Sequence, residues 1–79
     1  MRRVENAGGL CKKFIPDHDN GFPDRIVMLP EGKLIWVELK RASDGELRPL
    51  QQMQHQKLRK VGQRVEVAWS KADVDRILK

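Results

Sequence analysis

The chain is poor in the residues that reinforce small folds. A single cysteine excludes an internal disulfide, and one cysteine with two histidines cannot build a closed four-ligand zinc site. No apolar run approaches the roughly 18–20 residues of a membrane span. Arg2 and Arg3 lead into Val-Glu-Asn rather than an apolar stretch, so no secretory signal is read and a cytoplasmic, reducing location is expected. Repeats, linkers and low-complexity tracts are missing too. With 79 residues there is room for one domain, 1–79. A chain this short buries only about 60% of its unfolded surface, so a marginal core and a homodimer are expected.

What the chain has is charge. Charged residues make up 34%, and Lys+Arg outnumber Asp+Glu by 16 to 11, a net +5. That balance favours a polyanionic partner, because each neutralised phosphate releases counterions; a basic but merely solvated surface is the plain alternative.

Residues 2–7 read as the last turns of a helix stopped by Gly8-Gly9. Residues 10–15 read as a first strand, 24–29 as a second and 34–40 as a third, with Pro30-Glu31-Gly32 joining the last two. Between the first and second strands lies a polar loop, 16–23. Residues 41–47 form another loop, with Asp44-Gly45 as a turn. Pro49 opens a helix whose apolar face is read as Leu50, Met53, Leu58 and Val61, and Gly62 ends it. Residues 64–68 alternate as a fourth strand. Ser70 to Asp73 resembles a capping box with Asp in place of Glu, opening a last helix with Val74, Ile77 and Leu78 inward. The order is αβββαβα, an α/β fold with a mixed sheet flanked by helices.

The third strand is apolar on both faces until Glu38 and Lys40 interrupt it. Such a strand belongs in the middle of a sheet, where charges are costly unless paired or bound to metal. Glu38 and Lys40, two apart, share a face. If residues 30–32 form a three-residue loop, residue 29 faces 33 and Asp24 lies opposite Glu38 on that face. A four-residue loop would put it opposite Leu39, on the wrong face. Two carboxylates and an amine at a sheet end suit phosphodiester hydrolysis, the carboxylates as hard ligands for Mg²⁺ and Lys40 as a stabilising charge. The plain alternative is a same-face Glu38–Lys40 ion pair with Asp24 as a loop residue.

Pro23-Asp24 followed by Glu38-Leu39-Lys40 resembles the PD-(D/E)xK nuclease superfamily and, within it, the VRR-NUC family. The matching features are Gly21-Phe22-Pro23-Asp24-Arg25, Val37-Glu38-Leu39-Lys40, and Leu47-Arg48-Pro49-Leu50-Gln51 opening a helix. Gly8-Gly9 before Lys13-Phe14, and Gly62 through Val67, match as well. The resemblance implies a restriction-endonuclease-like core and Mg²⁺- or Mn²⁺-dependent DNA cleavage. It implies metal ligation by Asp24, Glu38 and the Leu39 carbonyl, a catalytic Lys40, and Gln51 facing the site from its helix. Stand-alone members look like phage or bacterial homodimers acting on branched DNA. Two departures stand out: the family's further acid in the first helix has only Glu5 nearby, three residues from Gly8, and Arg48 replaces the usual Ser before Pro49.

Lys13, Arg25, Lys57, Arg59 and Lys60 are the candidate DNA contacts, with Arg64 as a further member of a basic stripe; for the stripe a solubilising role is the alternative. Lys12 is expected to point away from the site. His55, one turn after Gln51, is read as a surface residue rather than a site residue. Asp17-His18-Asp19 looks like a ligand cluster but reads as solvated loop. Trp36 and Trp69 are assigned to core or interface rather than to base stacking, and Cys11 is a small strand hydrophobe. The expected function is a DNA endonuclease. Its rivals are a module that binds DNA without cutting it and a subunit active only with a partner chain.

Overall fold

A computed structural model describes residues 2–15, 21–41, 43 and 45–79. Asp17, His18, Asp19 and Asp44 lie outside the described residues. The elements run α1 (Arg2–Asn6), β1 (Leu10–Lys13), β2 (Arg25–Leu29), β3 (Lys33–Leu39), α2 (Pro49–Lys60), β4 (Arg64–Ala68) and α3 (Lys71–Ile77). The strands lie in the order β1-β2-β3-β4, antiparallel except for β3 and β4, which run parallel with α2 as the crossover. The mixed sheet and the element order are those expected from the hydrophobic pattern.

The β2–β3 connection settles the register. Pro30, Glu31 and Gly32 make a single tight turn in which Glu31 and Gly32 both take left-handed backbone (φ 69° and 74°). The pairs run from Leu29↔Lys33 to Arg25↔Val37. One step further along, Asp24 stands opposite Glu38.

Alternation then divides the sheet into two faces. One carries Val27, Ile35, Val37 and Ala68 against Val4 of α1 and Val74 and Ile77 of α3, which together form the core. The other carries Trp36 and Glu38 and is roofed by α2, whose inward side chains are His55 and Leu58. Ser70 caps α3 by accepting the Asp73 N–H, and Asp73 in turn accepts the Trp69 N–H, a box shifted by one residue from its usual form.

Three expectations fail here. The first strand stops at Lys13, leaving Ile15 80% exposed. In α2 only Leu58 of the four apolar residues is buried; Leu50, Met53 and Val61 face outward. His55 is not a surface residue but is fully buried. The reason is common to the last two: the sheet under α2 presents charge, so the helix turns its polar side chains inward. Among the described residues no helix is long and apolar enough to cross a membrane.

Candidate active site

Asp24 is the residue just before β2, and its carbonyl accepts the Phe14 N–H, which extends the β1–β2 ladder past its last paired residues. Its Oδ1 accepts the Leu39 N–H at 3.1 Å. That bond pins the Asp24 carboxylate across to β3, beside Glu38. Its Oδ2 lies 3.3 Å from Arg25 Nη1, and the same guanidinium nitrogen donates to the Asp24 carbonyl at 3.0 Å.

Glu38 is the buried member, its side chain 7% exposed. Oε1 has no hydrogen-bond partner among the described residues. Burial first, then the neighbouring Asp24 charge, push its carboxyl from an ordinary 4.5 up to about 7, against the opposing pull of Lys40 and Arg25. Lys40 Nζ stands 3.9 Å from Glu38 Oε2 and donates to Gln51 Oε1 at 2.8 Å. The Gln51 oxygen also accepts the Arg48 N–H at 3.0 Å. Gln51 therefore supplies one half of a capping box, and Arg48, which has no acceptor in its side chain, cannot supply the other. One oxygen both starts α2 and holds the lysine.

The approach to Asp24 is built by a close contact. Gly21 has φ +90°, and a Cβ there would lie 2.9 Å from the Leu50 carbonyl oxygen. Only glycine lets the segment leading to Phe22, Pro23 and Asp24 lie against the first turn of α2. Beyond it Phe14, Phe22 and Trp36 pack as a ring cluster, with Phe14 and Trp36 edge-on at 5.1 Å. Trp36 spends its Nε1–H on Gln63, as a packed rather than a base-stacking residue would.

Comparison with known proteins bears on the fold that holds this arrangement. A solved structure described as "VRR_NUC domain" superposes with a TM-score of 0.89 at 35% identity, covering 98% of this chain and 83% of that one. The sequence is 39% identical over 65 residues to "Putative nuclease p44" of Acyrthosiphon pisum secondary endosymbiont phage 1, a match that spans 82% of this chain and 69% of that protein. No family model matches the sequence. The chain belongs to the VRR-NUC family. Its fold is the restriction-endonuclease-like α/β core, which in general implies a divalent metal cofactor.

Whether this VRR-NUC chain has a place for a cation is a question of donors. Among the described residues no group of three or more His, Cys, Asp and Glu is gathered to hold one. Two carboxylates that repel each other, one of them buried, nonetheless fit a hard cation, which relieves the repulsion. Glu5 does not add a third acid: it is exposed on α1, in the layer on the other side of the sheet.

The DNA-contact residues need correction. Lys13 pairs with Arg25, and Lys12 with Ile26. Opposed residues share a face, so Lys12 leaves the sheet on the Glu38 side and Lys13 on the α1–α3 side, the reverse of the expectation. Lys13 still lines a hollow at the strand ends with Asp24 and Arg25. The basic stripe of α2 is not continuous. Arg59 donates to the Val65 carbonyl and Arg64 to that of Ile77, both serving the fold, which leaves Lys57 and Lys60 on the outward side. The sequence reading passed over a second basic surface: Arg2, Arg3 and Lys71 line a hollow of about 440 Å³ next to Leu39 and Lys40. Positions split between the first and last helices give no local signal of such a cluster.

Proposed function

We propose that this VRR-NUC chain hydrolyses DNA phosphodiester bonds with a divalent cation, Mg²⁺ or Mn²⁺, held by Asp24, Glu38 and the Leu39 carbonyl. One observation carries the reading: the β2–β3 register and the Asp24–Leu39 bond bring two acids to one side of a sheet end, with Lys40 beside them. The ion, when bound, polarises a phosphoryl oxygen and lowers the pKa of a water. Lys40 is the charge placed to offset what develops on the phosphate, or to orient the attacking water. Gln51 holds that amine in place, so the lysine does not collapse onto Glu38. Arg25, Lys13, Lys12 and the cations of the α1–α3 hollow supply the field that draws the backbone in.

Selectivity for branched DNA and action as a homodimer are the finer part of the proposal. Dimerisation is supported by an apolar row, Leu10, Met28 and Leu34, that lies side by side across three strands with Leu10 56% and Leu34 40% exposed. Two sites related by a dimer axis suit paired incisions on opposed strands.

The test is incubation of the purified chain with linear, flap and four-way DNA in Mn²⁺, Mg²⁺ or EDTA, with sedimentation in parallel. Metal-dependent product that is lost in Lys40→Ala supports the proposal. Salt-sensitive binding with no product in either metal points instead to a DNA-binding module that keeps the fold. Cleavage by Lys40→Ala near the wild-type rate overturns the catalytic assignment.

A further inference from the structure

The buried face of α2 holds a group that the mechanism above does not use. His55 is 0% exposed, and neither Nδ1 nor Nε2 has a hydrogen-bond partner among the described residues. Its Nε2 lies 3.9 Å from Glu38 Oε1, itself buried and unpartnered. Burial, then the Arg59 and Lys40 charges, hold the ring in its neutral form, which carries one N–H donor and one acceptor.

An imidazole buried without a partner is a poor choice for packing alone, because it leaves desolvated polar atoms where a hydrophobe would leave none. One turn on, α2 fills the same face with Leu58. The residue one turn earlier, Gln51, is already paired with Lys40. The inward side of α2 thus sets two polar groups four residues apart, Gln51 against Lys40 and His55 against Glu38.

We propose that His55 is a positioning residue for Glu38, donating its Nε2–H to Oε1 and leaving Oε2 for the cation and Lys40. The bond closes by turning the Glu38 carboxylate about its last side-chain torsion, which is broad and tolerates the change. A ligating carboxylate whose other oxygen is held in this way is oriented before the ion arrives. The role rests on the cation reading given above.

The test compares His55→Gln with His55→Met, side chains of similar length of which only the first has an N–H. Mn²⁺ affinity is measured by calorimetry and the melting temperature in EDTA. His55→Met is expected to bind Mn²⁺ about 10- to 100-fold more weakly than wild type, with His55→Gln recovering most of the loss and both variants melting close to each other. Equal Mn²⁺ affinity in His55→Met and wild type overturns the role, as does an equal loss in the two variants. Wild-type protein that binds no Mn²⁺ sinks the cation reading itself, a different result from either.

Discussion

Glu38 offers the sharpest test of the site, and it needs no DNA. Its carboxyl titrates at an ordinary 4.5 in the unfolded chain and at about 7 in the fold. Each tenfold displacement of a proton equilibrium is worth about 1.4 kcal/mol, so holding Glu38 ionised in the metal-free fold costs about 3 kcal/mol. The sign follows from proton linkage. Because the folded value is the higher one, the native state binds the extra proton between the two values. The stability it contributes is fully present below pH 4.5 and is lost as pH rises through 7. Glu38→Gln removes the charge at nearly constant shape. In EDTA the variant and the wild type should melt together near pH 4.5 and diverge as pH rises, the variant more stable by about 3 kcal/mol at pH 8. For a domain of this size that is roughly 12–24 °C in melting temperature. His55, whose displaced equilibrium acts on both proteins alike, cancels in the difference. Saturating Mn²⁺ then restores the wild type, by about 2.7 kcal/mol at a hundred times its dissociation constant, and leaves Glu38→Gln nearly unmoved. Superimposable pH profiles in EDTA, or equal stabilisation of both proteins by Mn²⁺, would refute the picture of a desolvated carboxylate awaiting a cation.

Other perturbations separate chemistry from packing. Lys40→Ala should lower the cleavage rate about 10²- to 10³-fold while Mn²⁺ binding, followed by calorimetry, persists. Gln51→Ala removes both the support of Lys40 and half of a helix cap, and should cost about 1 kcal/mol of stability together with a smaller loss of rate than Lys40→Ala; a variant as active and as stable as wild type would show the Gln51 bonds to be idle. Gly21→Ala meets both a left-handed backbone and the Leu50 carbonyl, so a loss of about 1–2 kcal/mol in chemical denaturation should be joined by weaker cleavage as Asp24 is pushed from α2. Ile35→Ala, at a core position 1% exposed, should cost about 2–5 kcal/mol, read from a urea melt; under 1 kcal/mol would mean the core is elsewhere.

The contrast between β2–β3 and β1–β2 shows what a sequence can carry. Between β2 and β3 the connection is three residues, so the turn itself fixes which residues face each other, and the pairing of Asp24 with Glu38 follows from counting. Between β1 and β2 the connection runs from residue 14 to residue 24, too long to dictate a register. There the pairing is set by packing, with Cys11 opposite Val27 over the core, and that choice sends Lys13 to the side where Lys12 was expected. The orientation of α2 was hidden for a related reason. Apolar periodicity identifies the inward face of a helix only when the surface beneath is apolar, and the end of β3 offers Glu38, with Lys40 just beyond it. His55 was visible as the i+4 neighbour of Gln51, but reading it as inward required knowing that the site was a place where polar groups gain partners.

The same polar face explains how so small a chain tolerates its site. A domain of 79 residues has a net stability of roughly 4–12 kcal/mol, and a single desolvated carboxylate can consume a large part of it. Gln51 and His55 are placed where an ordinary helix would present leucines: Gln51 holds the Lys40 amine, and His55, in the role proposed for it, removes part of the cost of Glu38 without removing the charge. What they leave uncompensated is the repulsion between Asp24 and Glu38, which no protein group among the described residues neutralises fully, since Lys40 is drawn 2.8 Å close to Gln51 and stays 3.9 Å from Glu38. A lysine seated directly on Glu38 would make a more stable metal-free fold and a worse cation site. The geometry favours the second use, so folding and cation binding are expected to be coupled. Moving the amine onto the acid, as in Gln51→Leu, should cost the pH-independent stability of the lost cap, about 1 kcal/mol, but shrink the further loss of metal-free stability between pH 5 and pH 8 while weakening Mn²⁺ binding. An unchanged pH dependence would break the argument.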